Sequence, residues 1–218
     1  MAMVYELNHD TVAAKECYLK TLTLDPGYLQ ANERLARILF GEGDYREARR
    51  YFNQQLEITE PNAELLNDLG NCAFKLGDDS EAQKQYRKAL VVNPDYAPTW
   101  RNLGLSLART NRFSEAVDLL DRYLTEQIDP GVVEIFADLA SSIGQSGRAI
   151  PHLERQLQMN PADLRALFKL SECYLAMGHK DAALVGYRRV LLQDPDFAPA
   201  QARIEQLEPL VDLPATRV

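Results

Sequence analysis

Apolar residues recur along the chain at helical spacing, in short runs broken by turn residues. Leu66, Leu69, Ala73 and Phe74 stand at i, i+3, i+7, i+8, and Ala82, Tyr86, Ala89 and Leu90 at i, i+4, i+7, i+8. Gly77-Asp78-Asp79-Ser80-Glu81 separates these runs, and Gly43-Asp44-Tyr45-Arg46-Glu47 has the same form one copy earlier. Glycine closes the first helix of each pair, and Asp with Glu three residues on resembles a capping box that opens the second. The pattern predicts helix A, a tight turn, then helix B.

That unit recurs along the chain. An alanine column reads Ala14, Ala48, Ala82, Ala116, Ala149 and Ala183, in steps of 34, 34, 34, 33 and 34. Four residues on lies a bulky column, Tyr18, Phe52, Tyr86, Leu120, Leu153 and Tyr187. Turn residues precede the alanines at Gly43, Gly77, Asn111, Gly144 and Gly178, and Asn is the other residue that tolerates a left-handed backbone. A second small column, Ala36, Gly70, Gly104, Ala137 and Ser171, follows Leu35, Leu69, Leu103, Phe136 and Leu170. Prolines at 26, 61, 94, 130, 161 and 195 close the units, because proline cannot continue a helix. Their spacing is more ragged than that of the alanines, so the slack sits in the connections while the packing positions stay fixed.

The period, the pairs Leu69-Gly70 and Leu103-Gly104, Trp100, the small-then-aromatic pairs and the closing prolines resemble the tetratricopeptide repeat. The resemblance covers about residues 1–210 and is fullest over 63–96 and 164–197. It implies an all-α, right-handed superhelical solenoid of antiparallel helix-turn-helix repeats. The expected division is a partial repeat (1–28), five full repeats (29–62, 63–96, 97–129, 130–163, 164–197), a capping helix (198–208) and a flexible tail (211–218). Tyr5 falls where helix A of the first copy should end, so the chain is expected to begin inside a repeat of a longer protein, with Met1-Ala2 a cloning scar. The fifth copy is the least typical, with Pro151 early in its helix B.

Composition narrows the function. Lys plus Arg is 24 and Asp plus Glu 32, a net charge of −8, which argues against the basic footprint of a nucleic-acid binder. No apolar run reaches a membrane span, and the N-terminus lacks the features of a secretory signal. Three widely spaced cysteines, Cys17, Cys72 and Cys173, fit reduced thiols and a cytoplasmic location, with the periplasm left open.

Candidate chemistry is sparse. Gly41-Glu42-Gly43 follows a helix and lacks a third glycine, so it reads as a turn. His9, His152 and His179 have no metal-ligand spacing, and Ser146 lacks the nucleophile-elbow pattern. Cys72 and Cys173 share one repeat position, which suits small packing residues. No catalytic group, metal or cofactor is expected.

Helix A leaves a second face at Glu33, Arg37, Phe40; Asn67, Asn71, Phe74; Arg101, Leu105, Ala108; Glu134, Asp138, Ser141; and Phe168, Glu172, Leu175. The family resemblance implies that this face lines a concave groove that takes a peptide or helix of a partner protein. Arg37, Phe40, Asn67, Asn71, Phe74, Lys75, Arg101, Asn102, Arg109, Glu134, Asp138, Phe168 and Glu172 are the expected groove residues. Phe40 and Phe74 form either a groove ledge or part of the core. Gly131 and Ile135 stand where the family's carboxylate clamp carries Lys and Arg, and Asn102 supplies a single rung of the family's asparagine ladder. The expected function is a protein-interaction scaffold. Two alternatives are a self-assembling homo-oligomer and a regulatory or substrate-presenting arm of a larger enzyme.

Overall fold

The computed structural model describes residues 2, 5, 10–28 and 30–208. The expectations for Met1, His9 and the tail 211–218 lie outside those residues. Among the described residues there are twelve α-helices and no strand. They fall into two compact units that meet in sequence at Asn111 and Arg112.

The first unit holds α1 (Thr11–Leu24), α2 (Ala31–Gly41), α3 (Tyr45–Ile58), α4 (Ala63–Lys75), α5 (Asp79–Val92) and α6 (Ala97–Arg109). Each helix packs on the next in sequence. The turns work as the residues dictate. Gly43 and Gly77 adopt φ of +86° and +81°, which lets the chain reverse in a left-handed residue. The Asp44 amide then donates to the Leu39 carbonyl at 2.9 Å and the Gly43 amide to Phe40 at 3.1 Å, a paired closure that repeats at Asp78 and Gly77. The same aspartates open the following helices, accepting from the amides of Glu47 at 3.2 Å and Glu81 at 3.1 Å. Asn111 takes φ of +59° in the role of the turn glycine.

The second unit holds α7 (Phe113–Glu126), α8 (Pro130–Ser142), a 3₁₀ turn (Ser146–Arg148), α9 (Ile150–Met159), α10 (Leu164–Ala176), α11 (Lys180–Gln193) and α12 (Ala198–Leu207). Pro151 sits in the first turn of α9, where its missing amide costs little. Proline cannot donate to the carbonyl four residues back, so the turn ahead of it tightens into 3₁₀ bonding. Helix B of this copy therefore starts later than its counterparts. At the far end Ala200 of α12 is fully buried, in one cluster with Leu167, Ala183, Tyr187 and Val190, and Ile204 and Leu207 pack against it.

All six alanines of the repeating column are completely buried, and the bulky column four residues on is at most 4% exposed. The small residues of helix A explain how the helices come so close. A Cβ at Gly70 would lie 2.4 Å from Cε1 of Tyr86, a ring that is itself 1% exposed and whose hydroxyl donates to Asn71 at 2.9 Å. Helix propensity alone favours alanine there by about 1 kcal/mol. Overpacking should reverse the sign: Gly70→Ala is expected to lose about 1–3 kcal/mol of stability in urea denaturation, and an unchanged or raised midpoint would contradict this packing.

Candidate functional site

In the first unit the exposed face of the A helices is built by contacts between α2 and α4 and between α4 and α6. Arg37 on α2 reaches forward to α4, with Glu64 at 2.5 Å and Asp68 at 3.2 Å, and holds Glu33 of its own helix at 2.9 Å. Asn102 on α6 reaches back to α4: its amide nitrogen donates to Oδ1 of both Asn67 and Asn71, each at 3.0 Å. Asn67 also accepts from the Thr99 hydroxyl at 3.2 Å, and Arg101 donates to Oδ1 of Asn102 at 3.3 Å. The Oδ1 of Asn67, a residue only 4% exposed, is thereby satisfied.

Phe40 and Phe74 are neither ledge nor full core. Both are half-buried. Phe40 packs edge-on against Tyr45 at 5.1 Å, while the Arg109 guanidinium lies 3.6 Å over the Phe74 ring. Arg109 also forks onto Asp79, with Nε at 2.8 and 2.9 Å from its two oxygens, and donates to the Phe74 carbonyl at 3.0 Å. It works as a clasp between α4, α5 and α6. Lys75 is exposed and has no carboxylate partner among the described residues.

In the second unit the expected acidic residues are engaged by the following A-type helix. Asp138 on α8 pairs with Lys169 on α10, and Glu134 lies 3.9 Å from Arg165. Glu172 on α10 receives both arms of Arg203 on α12, at 2.9 and 2.7 Å, and the Tyr187 hydroxyl. Phe168 is half-buried between Tyr187 and Phe197, with ring centroids 5.6 and 5.5 Å away, so it serves the core of this unit.

One offset runs through both units. Arg37 meets Asp68, Asn71 meets Asn102, Asp138 meets Lys169 and Glu172 meets Arg203, each pair 31 residues apart. The columns of the sequence step by 34, so neighbouring A helices touch one helical turn short of the repeat. Asp68, Lys169 and Arg203 were missed for that reason, and reading at i+31 would have found them.

The remaining candidates resolve as structural groups. His152 is 9% exposed, bonded through Nε2 to Asp121 at 2.6 Å and edge-on to Phe136. Burial pushes the Asp121 carboxyl up, but hydrogen bonds from His152 and Arg148 outweigh it and hold the group below its ordinary value. Arg155 ties down the end of α7 through the carbonyls of Leu124, Thr125 and Gln127. Burial raises the thiol of Cys72 to about 12, and that of Cys173 also rises, so neither is a ready nucleophile at neutral pH.

Asp68 is a carboxylate of α4 held against Arg37. Burial pushes its carboxyl up to about 6, against the pull of Arg37, and Glu64 and Glu33 add to the push. The folded chain therefore holds this proton more tightly than the unfolded chain, and stability falls as pH rises from about 4 to 6. Asp68→Asn removes that segment of the profile. Urea midpoints measured at pH 4, 5, 6 and 7 should show the variant gaining on the wild type with rising pH, and parallel profiles would reject the assignment.

Comparison with known proteins agrees with this architecture. Three family models described as tetratricopeptide repeat match residues 27–92, 67–132 and 144–207. The tetratricopeptide repeat-containing protein trd-1 of Caenorhabditis elegans is 26% identical over 161 residues, 73% of this chain but 21% of the worm protein. The C-terminal part of a tetratricopeptide repeat protein from Cytophaga hutchinsonii superposes with a TM-score of 0.75 at 15% identity, covering 94% of this chain and 81% of the other. PilF of Pseudomonas aeruginosa superposes with a TM-score of 0.69 at 20% identity, covering 94% of both. No helix among the described residues is long and apolar enough to cross a membrane. With its helical pairs, interlocked columns and matched repeats, the chain belongs to the tetratricopeptide repeat family.

Proposed function

We propose that the A-helix face of the first unit binds an extended or helical segment of a partner protein that carries an acidic residue. Tetratricopeptide repeats are protein-interaction scaffolds rather than catalytic folds, and that coarse role applies to this chain. The observation that supports the finer reading is the amide bridge in which buried Asn67 and half-buried Asn71 both hold Asn102, fixing the half-buried Asn71 and Asn102 amides before any partner arrives. Preformed polar groups save a ligand the cost of ordering them. Lys75 and Arg101 supply positive charge around this bridge.

The ion pairs sort the expected cations into two kinds. Arg37 is balanced by three carboxylates and Arg109 by Asp79, so their charge is already answered within the fold. Lys75, exposed and without a carboxylate partner among the described residues, is the better candidate to meet a partner's carboxylate, chiefly through orientation and encounter rate.

A photo-crosslinking residue placed at Lys75 should trap a partner polypeptide, whereas one at Lys84, exposed on α5, should not. With the partner in hand, Lys75→Glu is expected to weaken binding about tenfold or more at unchanged thermal midpoint. Arg109→Glu should lower the midpoint itself, since it removes the clasp on Asp79 and Phe74. Wild-type affinity in Lys75→Glu would refute the groove reading.

A further inference from the structure

One member of an otherwise buried column is uncovered. Leu35, Leu69, Leu103 and Phe136 are at most 3% exposed, yet Leu170, their counterpart on α10, is only half-buried. The cause lies on α11. Three residues after the column alanine the four preceding copies carry Tyr51, Gln85, Leu119 and His152, and the His152 ring covers Phe136 at 5.4 Å. The last copy has Gly186, with no side chain to lay over Leu170.

Ser171 crowds the same place. It stands where other copies have alanine or glycine, and a Cβ on Gly186 would meet its Oγ at 2.0 Å. The hydroxyl is engaged with the Leu167 carbonyl at 2.8 Å. Small and larger residues have traded places between α10 and α11, and the space above them stays open. It is a cavity of about 670 Å³ with Leu157, Leu167, Leu170 and Val185 in its walls, within the size range of ligand sites.

The rim is charged. Glu154 and Asp181 stand on it against one guanidinium, that of Arg189. Glu154 accepts the Tyr174 hydroxyl at 3.2 Å, and Asp181 is exposed with no cation paired to it among the described residues. Two carboxylates beside an apolar hollow select an occupant that is greasy at its centre and positive at its edge.

We propose that this cavity in the second unit is a separate docking site, taking one bulky apolar side chain of a partner polypeptide whose adjacent lysine or arginine meets Glu154 and Asp181. It does not depend on the A-helix face of the first unit. The probe is a fluorescein-labelled, acetylated and amidated eight-residue peptide alternating leucine and lysine, followed by anisotropy with the full chain. Saturable binding is expected, weakened at least tenfold by Val185→Lys and at least threefold by Asp181→Lys. Val185 is 60% exposed, so its replacement leaves the core intact. Lys75→Glu in the first unit should leave the affinity unchanged. Absence of saturable binding, wild-type affinity in Val185→Lys, or equal affinity for a leucine–glutamate analogue would overturn the proposal.

Discussion

The close approach of helix B to helix A, made by a completely buried alanine on one and a small residue on the other, is the constraint from which the rest follows. At such a position a methyl group is about as much as the space admits, and the bulky residue four places on fills the volume beside it. At Gly70 even a methyl is too much, because the Tyr86 ring already occupies the place. Interiors packed this tightly tolerate neither loss nor gain of atoms, so volume is conserved copy after copy even where residue type drifts.

Fixing that approach leaves one face of each A helix uncommitted to the pair. On this face neighbouring A helices meet through polar groups 31 residues apart, and the chemistry varies with the copy: a guanidinium among carboxylates at Arg37, bridged amides at Asn102, an ammonium at Lys169 and a two-armed guanidinium at Arg203. A constant backbone arrangement thus displays a changing polar surface. Such surfaces give specificity more readily than raw affinity. The bridged asparagines of the first unit differ from the rest in carrying no net charge.

The packing columns were legible in the sequence because each is under the same volume constraint in every copy. The turn residues were legible because a left-handed backbone admits few residue types, and Asn111 was readable on that ground. The free face was only half legible. Its residues lie on the A helices, with Asn67 buried rather than free, and a column at 34 cannot show a partner at 31, so the counter-ions of Arg37, Asp138 and Glu172 are not visible in the repeat. Phe40 and Phe74 stayed ambiguous because helical spacing gives a direction and not a cover, and the cover of Phe74 is an arginine 35 residues on. Gly186 carries no signal of its own in the sequence. Its meaning emerges only beside Ser171, where two small departures in one copy together uncover Leu170.

The offset between neighbouring A helices is open to direct test by double-mutant cycles in the second unit. Glu172 and Arg203, 31 residues apart, should show a coupling energy of about 1 kcal/mol when truncated to alanine singly and together, read from urea denaturation. Asp138 and Glu172, 34 residues apart in the same column, should be additive within about 0.5 kcal/mol. Equal coupling in the two pairs, or none between Glu172 and Arg203, would contradict the arrangement on which the interaction face is built.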